Sequence, residues 1–173
     1  MKEEILNSVK TLTRYFKLRS QVKNDFIFNG FEAKLCKYKK DFMYFMLESD
    51  TTLVLWIDRF GIKNLKQLQN ETKHVVIVCK SNSPETDKYN RKNNNIELFS
   101  LQELQTYIFD NFLVPEIYFL NKNQINEMKE FYGDLSLFPK IKEIDNICRY
   151  TNAKEGEIIA FKRKEGTTLR YVL

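Results

Sequence analysis

The chain has very little histidine and little that would staple or break it. Its 173 residues include one His, three Cys, three Pro, five Gly and one Trp. The single histidine, His74, opens the apolar run HVVIVC, which suits a strand end better than catalysis. Cys36, Cys79 and Cys148 stand far apart, are odd in number and form no CxxC pair. That spacing offers neither a disulfide framework nor a zinc site, and the three read as small buried or half-buried apolar residues. One His without a Cys cluster also removes most metal sites and most Ser-His and Cys-His catalytic arrangements. Scarce Gly and Pro exclude collagenous and low-complexity chains. No apolar run approaches the ~20 residues of a membrane helix. The start, MKEEILNSVK, lacks the apolar stretch of a signal peptide. A secreted or membrane-spanning protein is not expected.

What is present suits a globular chain. Hydrophobic residues make up 43% and charged residues 29%, enough apolar matter to offset the ordering of a folded core. The length fits one domain or two small ones. The formal charge is +5, which permits a polyanion partner without naming one. The excess is uneven. Residues 1–109 hold 18 Lys and Arg against 13 Asp and Glu, and residues 110–173 hold 10 against 10. Nine bases fall between residues 10 and 40: Lys10, Arg14, Lys17, Arg19, Lys23, Lys34, Lys37, Lys39 and Lys40, against Asp25 and Glu32. Such a run is either a solvated face or a footprint for a phosphate backbone.

Periodicity divides the chain. Ile5, Val9, Leu12 and Phe16 predict an N-terminal helix that fades around Arg19. Residues 24–41 show no clear pattern beyond a turn at Gly30. FMYFMLES (42–49) and TLVLWID (52–58) predict a hairpin across Ser49-Asp50. GIKNLKQLQNE (61–71) predicts a helix, HVVIVC (74–79) a buried strand, and SNSPETDKYNRKNNN (81–95) a surface loop or loose helix. IELF (96–99) predicts a strand, and SLQELQTYIF a helix opened by a Ser100–Glu103 capping box. This alternation predicts an α/β domain over residues 1–109.

Residues 110–173 have a different grain. DNFLVPEIYF is extended around Pro115, a helix starts between Asn121 and Gln124, and Gly133 stops it. Ile125, Met128 and Tyr132 give that helix its apolar face. LSLFPKI (135–141) reads as extended and EIDNICRY (143–150) as a short helix with Asp145 as N-cap. GEIIAFKR and TTLRYVL form a β-hairpin across Lys164-Glu165-Gly166. A core this small is marginal, so this α+β part is expected to lean on a partner.

The order FLVPE (112–116), capped helix, FPKI (138–141), DNICRY (145–150), NAKEGEIIAFKR (152–163) and RYVL (170–173) resembles the fifth subunit of eukaryotic nuclear RNA polymerases and its shorter archaeal counterpart. The upstream stretches FGIKNLKQLQ, HVVIVC and IELFSLQELQTYIFDN stand where the eukaryotic members carry an N-terminal domain that the archaeal protein lacks. The chain departs from the family at Lys140, at Asn146-Ile147-Cys148 and in the shortened turn Arg163-Lys164-Glu165-Gly166. Such divergence, with abundant Asn, Lys, Ile and Phe, fits a large DNA virus that encodes its own polymerase, or a fast-evolving parasite. The expected location is the virion and host cytoplasm for a viral chain, and the nucleus for a cellular one.

The resemblance implies a restriction-endonuclease-like α/β jaw domain (1–109) and a small mixed assembly domain ending in a β-hairpin (110–173). It implies a non-catalytic subunit, without cofactor, metal or small-molecule ligand. The C-terminal domain would dock on the largest polymerase subunit, and the N-terminal domain would form part of the lower jaw near downstream duplex DNA. Lys80, Ser81, Ser83, Pro84, Lys88, Arg91 and Lys92 are the candidates to face DNA, positioning the backbone without reading sequence. Pro115, Pro139, Ile141, Arg149, Tyr150, Arg163 and Tyr171 are the candidates for the subunit interface. Arg149 and Tyr150 also read as a cation on a helix C-terminus plus a core aromatic.

Two rival classes remain. One is a free-standing duplex-binding module. The other is a magnesium nuclease, for which Asp25 with Glu32 and Lys34, or Asp58 with Glu71 and Lys73, supplies two carboxylates and a lysine on paper. Glu71 and Lys73 precede their strand instead of lying on it.

Overall fold

The computed structural model describes residues 2–23, 34–39, 42–46, 52–60, 74–82 and 96–173. These fall into two compact units. One takes residues 2–13 with the described residues from 34 to 106, and the other takes residues 14–23 with 107–173. The change at 106/107 lies close to the sequence-based boundary at 109/110. The division also passes through the first helix, which no composition shift marks.

That helix, α1 (Lys2–Val22), opens with Glu3 and Glu4 and carries Arg19 in its last turn, charges that complement its dipole. It buries Ser8, Thr11, Leu12, Tyr15, Phe16 and Arg19, a stripe at three- and four-residue spacing. It runs a turn beyond the expected fade at Arg19. The Lys23 N–H still donates to the Arg19 carbonyl at 2.8 Å, and Arg19 is itself 2% exposed.

The first unit holds a five-stranded sheet in the order β1-β2-β3-β4-β5. β1 (Lys34–Lys39), β2 (Phe42–Met46) and β3 (Thr52–Phe60) form an antiparallel meander that includes the expected hairpin. β1 lies in the stretch without a sequence pattern and is at the edge of the sheet among the described residues. β4 (His74–Asn82) is parallel to both β3 and β5 (Ile96–Ser100). A strand so placed is covered on both faces, hence its unbroken apolar run with Val75 to Cys79 buried. At the start of β4, Nε2 of His74 lies 2.8 Å from Oε1 of Glu97 on β5. The expected helix 61–71, the turn at Gly30 and residues 83–95 of the polar stretch lie outside the described residues. Among the described residues no helix is long and apolar enough to cross a membrane.

The helix expected from SLQELQTYIF does not form. The capping box does: the Ser100 N–H donates to Glu103 at 2.7 Å and the Glu103 N–H to Ser100 Oγ at 3.2 Å. Only single 3-10 turns follow, at Glu103–Gln105 and Ile108–Asp110. Thr106 between them is extended at φ −124° and ψ 134°. The Ile108 N–H donates to the Tyr15 hydroxyl at 3.1 Å instead of continuing a helix, so tertiary contacts override the local propensity.

The second unit is built on a four-stranded sheet of β6 (Glu116–Phe119), β7 (Lys140–Ile141), β8 (Ile158–Arg163) and β9 (Gly166–Val172), in the order β6-β8-β9-β7. β8 is antiparallel to β6 and β9, while β7 is parallel to β9. The closing hairpin β8–β9 turns with Arg163 opposite Gly166, whose φ of +139° suits glycine. α2 (Lys122–Tyr132) has the full capping box Asn121–Gln124 and stops at Gly133, φ +77°. Its expected apolar face is shallow: none of its residues is buried, and Tyr132 is exposed. LSLFPKI forms a strand only at Lys140–Ile141, with Phe138 extended before it; Leu135–Leu137 is a 3-10 turn, held because Asp134 accepts from both the Ser136 N–H and its hydroxyl. α3 (Asn146–Thr151) is capped by Asp145, as its sequence predicts.

The two architectures together make a mixed α/β sheet and an α+β unit with a C-terminal β-hairpin. The second core gathers Ile117, Phe119, Ile141, Cys148, Ala153, Ile159, Phe161 and Val172, with Val22 of α1 packed against it. The marginal C-terminal core thus leans on the chain's own first helix.

Candidate functional site

The second half of α1 supplies polar and aromatic anchors to the C-terminal unit. The Tyr15 ring stacks on Tyr150 with centroids 4.1 Å apart and planes at 4°. Tyr107 and Phe109 pack at 4.7 and 6.2 Å on the same ring. Burial pushes the Tyr15 phenol well above its usual range. Nε of Arg19 donates to the Tyr150 carbonyl at 2.7 Å and Nη2 to that of Arg149 at 3.4 Å. A guanidinium therefore meets the last carbonyls of α3, adding a charged donor to the Asn152 N–H that reaches the Arg149 carbonyl at 3.3 Å. Nζ of Lys23 meets both Glu157 oxygens, at 3.0 and 2.8 Å, and the Asn152 carbonyl at 2.8 Å. Arg14 grips Asp110 with both terminal nitrogens and lies 3.8 Å from the Tyr107 ring centroid. Three of the nine clustered bases thus have partners inside the chain.

The same unit carries a cleft of about 820 Å³. Its apolar lining comes from Val114 and Pro115 before β6, Ile141 on β7, Ile147 on α3 and Phe161 on β8. Leu113 and Ile144 line it too, yet stand 71% and 50% exposed. The Leu113 segment is fixed by Asn111, whose side-chain oxygen accepts from the Leu113 N–H at 3.0 Å and whose carbonyl accepts from Val114 at 2.9 Å. Lys140, Lys142, Arg163, Arg170 and Asn146 complete the lining, with Asp145 as its one carboxylate. One Asp145 oxygen is engaged by the Ile147 N–H at 2.9 Å. Strand alternation puts Phe161 and Arg163 on one face of β8, so floor and charge come from the same strand.

This cleft brings together three of the interface candidates, Pro115, Ile141 and Arg163. Pro139 is exposed and its carbonyl accepts from the half-buried Tyr171 at 2.9 Å, where β7 meets β9. Tyr150 is 3% exposed and belongs to the stacked cluster, and the half-buried Arg149 offers its carbonyl to Arg19. Sequence reading missed Leu113, Lys142, Ile144 and Arg170 as lining. The balance of 10 bases to 10 acids hid the two cations, because equal totals conceal a local segregation of charge.

Of the candidates to face DNA, Lys80 is exposed on β4. Ser81 extends the same strand, so it is not in the loop, and its side chain lies outside the described residues. Ser83, Pro84, Lys88, Arg91 and Lys92 also lie outside them. For the nuclease strings, Lys34 and Asp58 sit on β1 and β3, while Asp25, Glu32, Glu71 and Lys73 lie outside the described residues.

Residues 106–173 match the family model of the RNA polymerase Rpb5 C-terminal domain. Over this stretch, less than half of the chain, the protein is similar to that domain.

Proposed function

We propose that the chain is a non-catalytic subunit of a multisubunit DNA-dependent RNA polymerase, docking on the largest subunit through its C-terminal unit. The observation that carries this reading is the family match over residues 106–173. The cleft supports it, since a groove with Pro115, Ile141 and Arg163 in its lining is suited to hold a partner segment. Pro139 and Tyr171, together on the β7–β9 pair, are further contacts in this reading. The N-terminal unit would form part of the lower jaw beside downstream duplex, with the exposed Lys80 among its phosphate-facing groups. Its place in the cell would be that of the polymerase it serves: virion and host cytoplasm for a viral enzyme, nucleus for a cellular one.

The test is co-purification. Tagged chain expressed in its native source should bring down the large polymerase subunits in stoichiometric amount, and the isolated chain should bind duplex only weakly. A pull-down without polymerase subunits would overturn the reading. Tight, salt-sensitive duplex binding by the isolated chain would favour a free-standing DNA-binding module instead.

A further inference from the structure

We infer that the cleft of the C-terminal unit receives an acidic segment of a partner polymerase subunit, whose apolar side chains fill the floor while its carboxylates meet the basic rim. This deepens the docking reading and rests on it. Four cations, Lys140, Lys142, Arg163 and Arg170, face the space against one carboxylate, Asp145, itself committed to capping α3. Residues 110–173 taken together are charge-balanced, so their positive charge is concentrated at this groove. Opposite charge across an interface sets partner choice and encounter rate more than raw affinity.

The floor decides which polyanion fits. Leu113 and Ile144 present large apolar surfaces to solvent at the mouth, and Phe112, the residue before Leu113, is 92% exposed. Val114, Ile141, Ile147 and Phe161 continue that surface inward. A nucleic-acid backbone would satisfy the rim and leave this apolar area without a counterpart. A peptide carrying both carboxylates and aliphatic side chains satisfies both. A second copy of the chain, at net +5, would bring like charge to a basic rim.

The test uses the full chain and three fluorescein-labelled peptides. In the first, leucines alternate with glutamates; in the second, glutamine replaces every glutamate; in the third, lysine does. The acidic peptide should bind about tenfold or more tighter than the glutamine peptide, with the lysine peptide weakest, and rising salt should erase the difference. The double variant Lys142→Glu with Arg163→Glu, two exposed positions, should lose that preference. Ile144→Asp should weaken both the acidic and the glutamine peptide. Circular dichroism checks that each variant folds. Equal binding of the three peptides would overturn the inference. So would duplex DNA displacing the acidic peptide, or wild-type self-association that the double variant abolishes. Co-purification separates the two levels. Polymerase subunits that still follow the folded double variant refute the acidic-segment assignment and leave docking standing. A wild-type chain that binds the acidic peptide but brings down no polymerase refutes docking, and with it the polymerase origin of the segment, while the groove's preference for acidic peptides stands.

Discussion

Nε of Arg19 donates to the carbonyl oxygen of Tyr150 at 2.7 Å, across 131 positions of sequence. The guanidinium is 2% exposed and also lies 4.6 Å from the Phe16 ring centroid. A hydrogen bond from a charged donor is worth roughly 1.5–3 kcal/mol. Arg19→Met keeps the apolar stem and removes the donor, and should destabilise the C-terminal unit by about that amount. Arg19→Lys should recover only part, because an ammonium lacks the planar fork. Urea midpoints followed by tyrosine near-ultraviolet dichroism measure both; a Met variant as stable as wild type would deny the capping role.

Lys23 and Glu157 are a partly buried pair, with side chains 10% and 31% exposed. Glu157 also accepts from the Lys154 N–H at 2.7 Å, so either partner lost leaves the other with a desolvated charge. A double-mutant cycle with Lys23→Met and Glu157→Gln should return a coupling of about 1–3 kcal/mol, above the range of exposed pairs. Additive effects of the two substitutions would place the pair among surface ion pairs.

Cys148 is 1% exposed, and burial pushes its thiol up to about 12, with Asp145, Glu143 and Glu157 adding to the effect. A neutral, covered thiol is a poor nucleophile. In a Cys36→Ser background, the native chain should resist a thiol reagent at neutral pH, since Cys79 is also buried. Both thiols should react fully in denaturant. Fast native labelling of Cys148, located by peptide mapping, would contradict this packing.

The Arg14–Asp110 pair gives a pH signature. Hydrogen bonding from Arg14 holds the Asp110 carboxyl below its ordinary value of 3.8. A depressed folded pKa contributes stability that is complete above the unfolded value and fades as pH falls through the folded one. Asp110→Asn should therefore narrow its deficit against wild type as thermal unfolding is followed from neutral pH down through the acid range. Parallel curves over that range would mean that the carboxylate contributes nothing.

Elements written in a few adjacent residues could be read from sequence. Asn121 and Gln124 cap α2 reciprocally, and a capping box needs only residues three apart. HVVIVC declared a buried strand, and the structure sets it between two parallel neighbours. The same locality misled at Ser100 and Glu103, where the box formed and the helix did not, because Tyr15 takes the Ile108 N–H. Arg19 and Lys23 looked like part of a basic run, and their acceptors lie about 130 residues away, beyond any periodicity. The cleft was half legible. Pro115, Ile141 and Arg163 were singled out from their motifs, whereas Lys142 lies in none and Arg170, though it opens RYVL, gains a place in the cleft only once β7, β8 and β9 lie side by side.

The stretch that matches the family model and the unit drawn by contact do not coincide. The family domain begins at residue 106, while its physical counterpart also claims residues 14–23. A graft of residues 106–173 onto a foreign chain would arrive without the cation that caps α3 and without the lysine that balances Glu157. To be portable, the module must carry about two and a half turns of helix from near the other end of the chain.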